Sequence, residues 1–181
     1  MLTKQSETPD AEQVRENARK AKEAADLLFP NEGWMEIEDG IYLSPNRAVG
    51  EKSNYLDELR DARILRDLGS TVYLTPEQRT VPGKKYDAIV DRLKMEFKNM
   101  HGESTRTLKD HFLGSRRQAP NVFLNPEKSP LAKREILKAL YAIRNAPDYD
   151  RKNAFEGGKA ILKIAGQVDL VCINVDDLKA T

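Results

Sequence analysis

The sequence has one cysteine, two histidines and almost no net charge, and each of these shortages excludes a class of structure or function. Cys172 has no second cysteine to pair with, so neither a disulfide within the chain nor a zinc site built from cysteines can form. The 30 basic and 29 acidic residues leave a formal net charge of +1. Overall charge therefore does not indicate a nucleic-acid partner, and any such binding has to come from a local patch.

Long apolar runs are also missing. A run of about 18 apolar residues, which a membrane-spanning helix needs, does not occur. The N-terminal stretch MLTKQSETPDAEQ lacks the apolar segment of a secretory signal peptide. We therefore expect a soluble chain with no membrane partner, which would leave a cell as part of something larger or by a route that the sequence does not show. The 181 residues, 39% of them hydrophobic, are enough for a domain with its own core.

Apolar periodicity and boundary residues predict the elements. Helices are predicted over residues 10–28, about 54–68, 104–118 and 130–144, with Asn54 and Ser129 as N-caps and Gly69 as a C-terminal stop. The first helix is alanine-rich, which is typical of a lid or linker helix. We predict an α+β fold with a mixed sheet of about five to six strands flanked by helices, preceded by an N-terminal helix and a small hairpin turning at Asp39-Gly40. The predicted segments are 1–50 and 51–181.

The segment KKYDAIVDRLKMEFKNMHGES predicts a charged β-hairpin. Glu96 and Lys98 share one face of their strand, while Met95 and Phe97 take the other. A two- or four-residue turn centred on Asp91-Arg92 would put Asp87 across from Glu96, whereas a three-residue turn would reverse the facing. The turn carries no Asn-Gly or Asp-Gly pair, so the sequence leaves the register open.

In the even register, two carboxylates would lie within about 5 Å of each other at Cβ, which is repulsive without a positive group between them. Mg²⁺ held by Asp87 and Glu96 would suit that place, because it prefers oxygen ligands. Lys98 would then help to position or deprotonate a metal-activated water. The alternative is an ordinary solvated strand face, which is the more common origin of such a loose pattern.

The helix after the hairpin carries a group of basic side chains suited to substrate phosphates: Arg106, Lys109, His111, Arg116 and Arg117. A solvated helix face is the alternative interpretation. Gln118, at the end of this helix, would orient a phosphate or a water, or cap the helix. His101 and His111 are candidate general acid-base groups for a metal-independent ribonuclease.

The succession NYLDELRDARILRDLG, TVYL, Asp87, MEFK, a basic helix and RRQAPNVFLN resembles the nuclease toxin domains of contact-dependent growth inhibition and related polymorphic toxins. The resemblance covers about residues 54–125, and related domains occur in phage and mobile-element head-like proteins. The order is also similar to the PD-(D/E)xK nuclease core, an αβββαβ unit. That resemblance implies Asp87, Glu96, Lys98 and Gln118 as catalytic residues, with Mg²⁺, and a helix glutamate at Glu58.

Two departures accompany the resemblance. Tyr86, not proline, precedes Asp87, which leaves Asp91 as a rival for the first acid. Barnase-like toxin ribonucleases are a competing relation, and they would need no cofactor.

The resemblance implies a toxin-type nuclease that cleaves phosphodiester bonds, with RNA, tRNA in particular, as the substrate class. By analogy we expect a cognate immunity protein and a site of action in the cytoplasm. The alternative is a non-catalytic structural or interaction domain of a phage or mobile-element head-like protein that retains the nuclease fold.

Overall fold

The structure is a computed structural model, and it describes residues 11–49, 54–76, 86–101, 104–116, 119, 121–126, 129–144, 160–163 and 170–173. Contacts divide the chain into an N-terminal unit, residues 7–95, and a C-terminal unit that begins at Glu96. The domain boundary at residue 50 stays a prediction.

The N-terminal unit is a sheet with helices packed against it. Its elements are α1 (Ala11–Leu28), β1 (Met35–Glu38), β2 (Ile41–Leu43), α2 (Tyr55–Asp67), β3 (Val72–Leu74), β4 (Ala88–Val90) and the start of β5 (Leu93–Asn99). The strands lie in the order β1-β2-β3-β4-β5. Strand β2 pairs with β3 in parallel and the other pairs are antiparallel, so this sheet is mixed.

Helix α1 belongs to the core of this unit, so the lid or linker interpretation was wrong. Ala21 and Ala25 are fully buried and form one cluster with Tyr73 and Ile89. The alanines that suggested a loosely attached helix instead let its backbone approach the sheet closely. Helix α2 also packs on β3, and residues alternate across a strand, so Val72 and Leu74 lie on the sheet face opposite to Tyr73.

The predicted end of the second helix is confirmed. Gly69 has a φ of 88°, a left-handed conformation that suits glycine. The Gly69 N–H donates to the Arg66 carbonyl at 2.8 Å and the Ser70 N–H donates to the Leu65 carbonyl at 3.1 Å. This pair of bonds is a Schellman motif. Asn54 takes the N-cap position without a capping bond from its side chain.

The C-terminal unit contains the rest of β5, then α3 (Thr105–Arg116), β6 (Asn121–Asn125), α4 (Lys133–Arg144), β7 (Ala160–Lys163) and β8 (Leu170–Ile173). The strands lie in the order β5-β6-β7-β8, with β6 and β7 parallel and β7 and β8 antiparallel. Helix α3 packs on β6 and on α4.

Helix α4 begins later than predicted from Ser129 and Pro130. Ala132 takes the N-cap place, and its N–H donates to Oε2 of Glu135 at 2.8 Å. This bond is the half of a capping box that the third helical residue supplies, so a glutamate sets the helix start instead of Ser129. The α+β class is confirmed: among the described residues each unit combines a mixed sheet with two helices, and the predicted hairpin β1–β2 is part of the sheet of the N-terminal unit.

Candidate active site

A buried carboxylate and a lysine pair on β5. Glu96 is 1% exposed, and its Oε1 accepts a hydrogen bond from Nζ of Lys98 at 2.5 Å. The alternation of the strand puts both charges opposite Phe97, whose ring packs edge to face on Phe123 with centroids 5.7 Å apart. The Lys98 side chain is 27% exposed and so reaches solvent. Glu96 is therefore not part of a solvated strand face, which was the common interpretation of this pattern.

The β4–β5 hairpin has a two-residue turn. Val90 pairs with Leu93 and Ala88 with Met95, so Asp91 and Arg92 alone form the turn. This is the even register that the sequence left open. Asp87 comes directly before β4, and its N–H donates to the Met95 carbonyl at 3.0 Å.

Asp91, the rival for the first acid, closes this turn. Its φ is 56°, and its carboxylate accepts hydrogen bonds from the Thr71 N–H at 3.0 Å and from Oγ of Ser70 at 3.1 Å. Burial raises the pKa of Asp91 above its ordinary value, and the two hydrogen bonds and the Arg92 charge oppose that shift. These contacts give Asp91 a structural role in the turn.

A second buried charge pair lies in the N-terminal unit, and sequence analysis missed one of its members. Nη2 of Arg47 donates to Oε2 of Glu58, with side chains only 3% and 11% exposed. Nη1 of Arg47 donates to the Thr75 carbonyl and, at 3.2 Å, to the Asp87 carbonyl. Glu58 therefore has a partner that accounts for its burial beyond the helix dipole. No local motif marks Arg47, because its partners lie 11, 28 and 40 residues away.

The predicted basic helix is α3, and its described basic side chains differ in exposure. Arg106 is exposed, while Lys109 and His111 are half-buried. Ser104 caps the helix, with its Oγ accepting from the Thr107 N–H at 3.2 Å. The Arg116 side chain, Arg117 and Gln118 lie outside the described residues, and their predicted roles stay predictions.

Two aromatic residues that could have stacked on bases pack inside the N-terminal unit. Trp34 lies edge to face with Tyr73 at 5.1 Å and with Phe29 at 5.9 Å. Tyr42 stacks on Tyr73 at 4.5 Å with an interplanar angle of 11°. These contacts account for both rings by packing within the unit.

Metal ligands are sparse in the part of the chain that the structure describes. No group of three or more His, Cys, Asp or Glu side chains is placed to hold a metal ion within those ranges. Asp87 and Glu96 remain the two carboxylates proposed from sequence. No helix among the described residues is long and apolar enough to cross a membrane.

The chain is thus an α+β protein in which a buried glutamate, Glu96, pairs with Lys98 on the strand for which the sequence predicted a site. No family model and no curated protein matches it. Among solved structures, its fold is similar to that of a chain in the CdiA-CT/CdiI toxin and immunity complex from Burkholderia pseudomallei. The two are 18% identical with a TM-score of 0.50, and the match covers 72% of this chain and 97% of the other. At this identity the match establishes a shared fold.

Proposed function

We propose that this chain is a toxin-type nuclease that cleaves phosphodiester bonds in RNA, with tRNA as the substrate class. The observation that carries the proposal is the buried Glu96 carboxylate paired with Lys98 on a central strand. Burial of a charged pair costs free energy. An apolar side chain at a strand position next to a core phenylalanine would avoid that cost. A buried carboxylate paired with a partly exposed lysine is a candidate functional site. The shared fold with a chain of a toxin and immunity complex supports the same conclusion.

Asp87, Glu96 and Lys98 are the residues to which we assign the chemistry. In this proposal Glu96 and Asp87 would supply carboxylate oxygens, and Lys98 would supply a positive charge for the phosphate that carries negative charge in the transition state. Because Lys98 is partly exposed, its ammonium group can contact a substrate oxygen while it remains paired with Glu96. Gln118 is proposed to orient the substrate phosphate.

Mg²⁺ is the cofactor we propose if the site is PD-(D/E)xK-like. Two carboxylates supply the oxygen ligands that Mg²⁺ prefers, and water and substrate phosphate complete such sites in proteins. When bound, the ion would activate water and neutralise developing charge. The ligands on this chain would be Asp87 and Glu96. A metal-independent, barnase-like reaction predicts instead that cleavage survives removal of metal.

Substrate binding is assigned to α3. Arg106, Lys109 and His111 lie on this helix, with Arg116 and Arg117 at its end, and basic side chains of this kind contact phosphates. Replacing Arg106 and Lys109 together should flatten the dependence of kcat/KM on salt, since each lost phosphate contact removes roughly one unit from the logarithmic slope. An unchanged slope would remove α3 from the interface.

The decisive experiment incubates purified protein with total tRNA, with and without EDTA. We expect cleavage that EDTA abolishes, and a loss of about 100-fold or more in Glu96→Gln and Lys98→Met. Glu36→Gln and Lys94→Met, which change the same residue types on β1 and β5, are the matched controls. Absence of cleavage by the wild type would refute the nuclease. Cleavage that resists EDTA would refute the metal assignment alone.

Expression in a host cell gives a second test and introduces the proposed partner. We propose that the chain acts in the cytoplasm of a target cell, reached as part of a larger protein, and that a small cognate immunity protein neutralises it. Wild-type chain should then arrest growth, and the Glu96 and Lys98 variants should not. Equal growth with wild type and variants would favour the non-catalytic interaction domain.

A further inference from the structure

Arg47 joins three separate parts of the N-terminal unit. It lies between β2 and α2, and its guanidinium contacts the Glu58 side chain on α2 and the carbonyls of Thr75 and Asp87. Thr75 follows β3 directly, and Asp87 precedes β4 directly. One buried side chain therefore ties a helix to the adjoining ends of two paired strands.

The backbone of Asp87 is held on both sides. Its carbonyl accepts from Arg47, from the Thr75 N–H at 3.0 Å and from Oγ1 of Thr75 at 3.2 Å. Its N–H donates to the Met95 carbonyl of β5 at 3.0 Å. Fixing both peptide groups of a residue fixes the direction in which its side chain leaves the strand. Of these donors, only Arg47 connects Asp87 to α2.

The three acceptors around this side chain suit an arginine. A planar guanidinium presents several N–H donors in a fixed fork, so it can serve one carboxylate and two carbonyls at once. A lysine would keep the positive charge beside Glu58 but would present it as a point charge on a flexible stem. Loss of geometry and loss of charge are therefore separable by substitution.

We propose that Arg47 is a positioning residue for Asp87. The proposal rests on the function proposed above, because it assigns Arg47 the task of holding a carboxylate that takes part in phosphodiester cleavage. Arg47 does not touch the reacting groups in this role. It aligns the start of β4 through the Asp87 carbonyl, and Glu58 neutralises and orients its guanidinium.

The test compares Arg47→Lys with Arg63→Lys. Arg63 also places a guanidinium fork on a glutamate, Glu38, with Nε to Oε1 at 2.9 Å, but its side chain is 49% exposed. We expect Arg47→Lys to lower kcat on tRNA about 10- to 100-fold with KM nearly unchanged, because displacement of a reacting group by about 1 Å has effects of this size. Arg63→Lys should keep the wild-type values.

Hydrogen exchange gives a readout that does not depend on nuclease activity. In Arg47→Lys the Thr75 and Asp87 amides should exchange at least about tenfold faster relative to the Val72 amide, which donates to the Gly40 carbonyl away from the clamp. Uniform acceleration at all three amides would indicate general destabilisation and would overturn the proposal.

The outcomes separate the two proposals. If the wild type does not cleave tRNA, the proposed function fails, and hydrogen exchange alone decides whether Arg47 holds Asp87. If the wild type cleaves and folded Arg47→Lys has the wild-type kcat, the positioning role is overturned and the nuclease stands. If Arg47→Lys does not fold, positioning is likewise overturned, because the residue then acts through stability of the whole unit.

Discussion

Lys98→Met should destabilise the protein strongly, since it removes the partner of a buried carboxylate. Breaking one side of a buried ion pair costs roughly 3–5 kcal/mol, because the remaining charge stays buried without compensation. The Lys98 side chain is 27% exposed and Glu96 only 2%, so water already screens the ammonium and the lower end of that range applies. We expect a loss of about 3 kcal/mol, which for a chain of this length is a decrease in Tm of roughly 6–12 °C.

Thermal unfolding followed by circular dichroism at pH 7 measures this change. The control is Lys22→Met, which breaks an exposed pair with Asp26 whose side chains are 65% and 49% exposed. Such a pair contributes about 0.5 kcal/mol or less. The double variant Glu96→Gln with Lys98→Met should recover most of the lost stability, because neutral groups then replace the pair.

The double variant decides the cause. Recovery shows that the unpaired charge destabilises Lys98→Met, whereas equal stability of the single and double variants would assign the loss to the packing of the lysine stem. If the Tm of Lys98→Met equals that of the wild type, Glu96 does not need Lys98 in order to stay buried and ionised. The structural basis for assigning the two residues to one site would then be gone.

Two further predictions concern the N-terminal unit. Burial raises the pKa of Asp91 above its ordinary 3.8, so its protonation favours the fold below 3.8 and that contribution is lost as pH rises through the raised value. Asp91→Asn keeps an acceptor for the Thr71 N–H and tolerates a positive φ. The Tm of this variant should therefore equal or exceed that of the wild type at pH 7, and any advantage should be lost near pH 3. A lower Tm at pH 7 would contradict this. Ala25→Leu should cost about 1–3 kcal/mol by overpacking against Tyr73 and Ile89, and an unchanged Tm would place α1 outside the core.

Local signals in the sequence predicted the elements that depend on local bonds. The helix end at Gly69 follows from bonds within a few residues and occurs as expected. The cap of α3 at Ser104 is equally local. The predicted start of α4 was wrong, and the reason is again local. Ser129 and Glu135 offered competing caps, and the structure uses the glutamate with Ala132. A sequence with two valid signals a few residues apart does not say which one forms.

Pairings between distant segments were not predictable in this way. The parallel alignment of β2 with β3 brings the N-terminal hairpin into the sheet, although α2 lies between them in the chain. The register of β4 and β5 depended on a turn without a diagnostic residue pair, and Asp91 supplied the positive φ at its first position. The bonds that hold Asp91 in this turn come from Ser70 and Thr71, about twenty residues earlier. A short window of sequence contains neither these partners nor the pairing of β2 with β3.

The sequence named Glu96 and Lys98 as candidates but could not show that Glu96 is buried. One third of this chain is charged, and the described residues include exposed pairs such as Arg19 with Glu16, three residues apart on one helix. Glu96 and Lys98, two residues apart on a strand, look no different in the sequence. What distinguishes them is burial. An exposed pair contributes little and can be exchanged freely, whereas a buried charge is costly and requires a partner that persists. The Arg47–Glu58 pair meets the same condition beside the Asp87 backbone, which is why burial of charge, and not spacing of charge, marks the residues to test first.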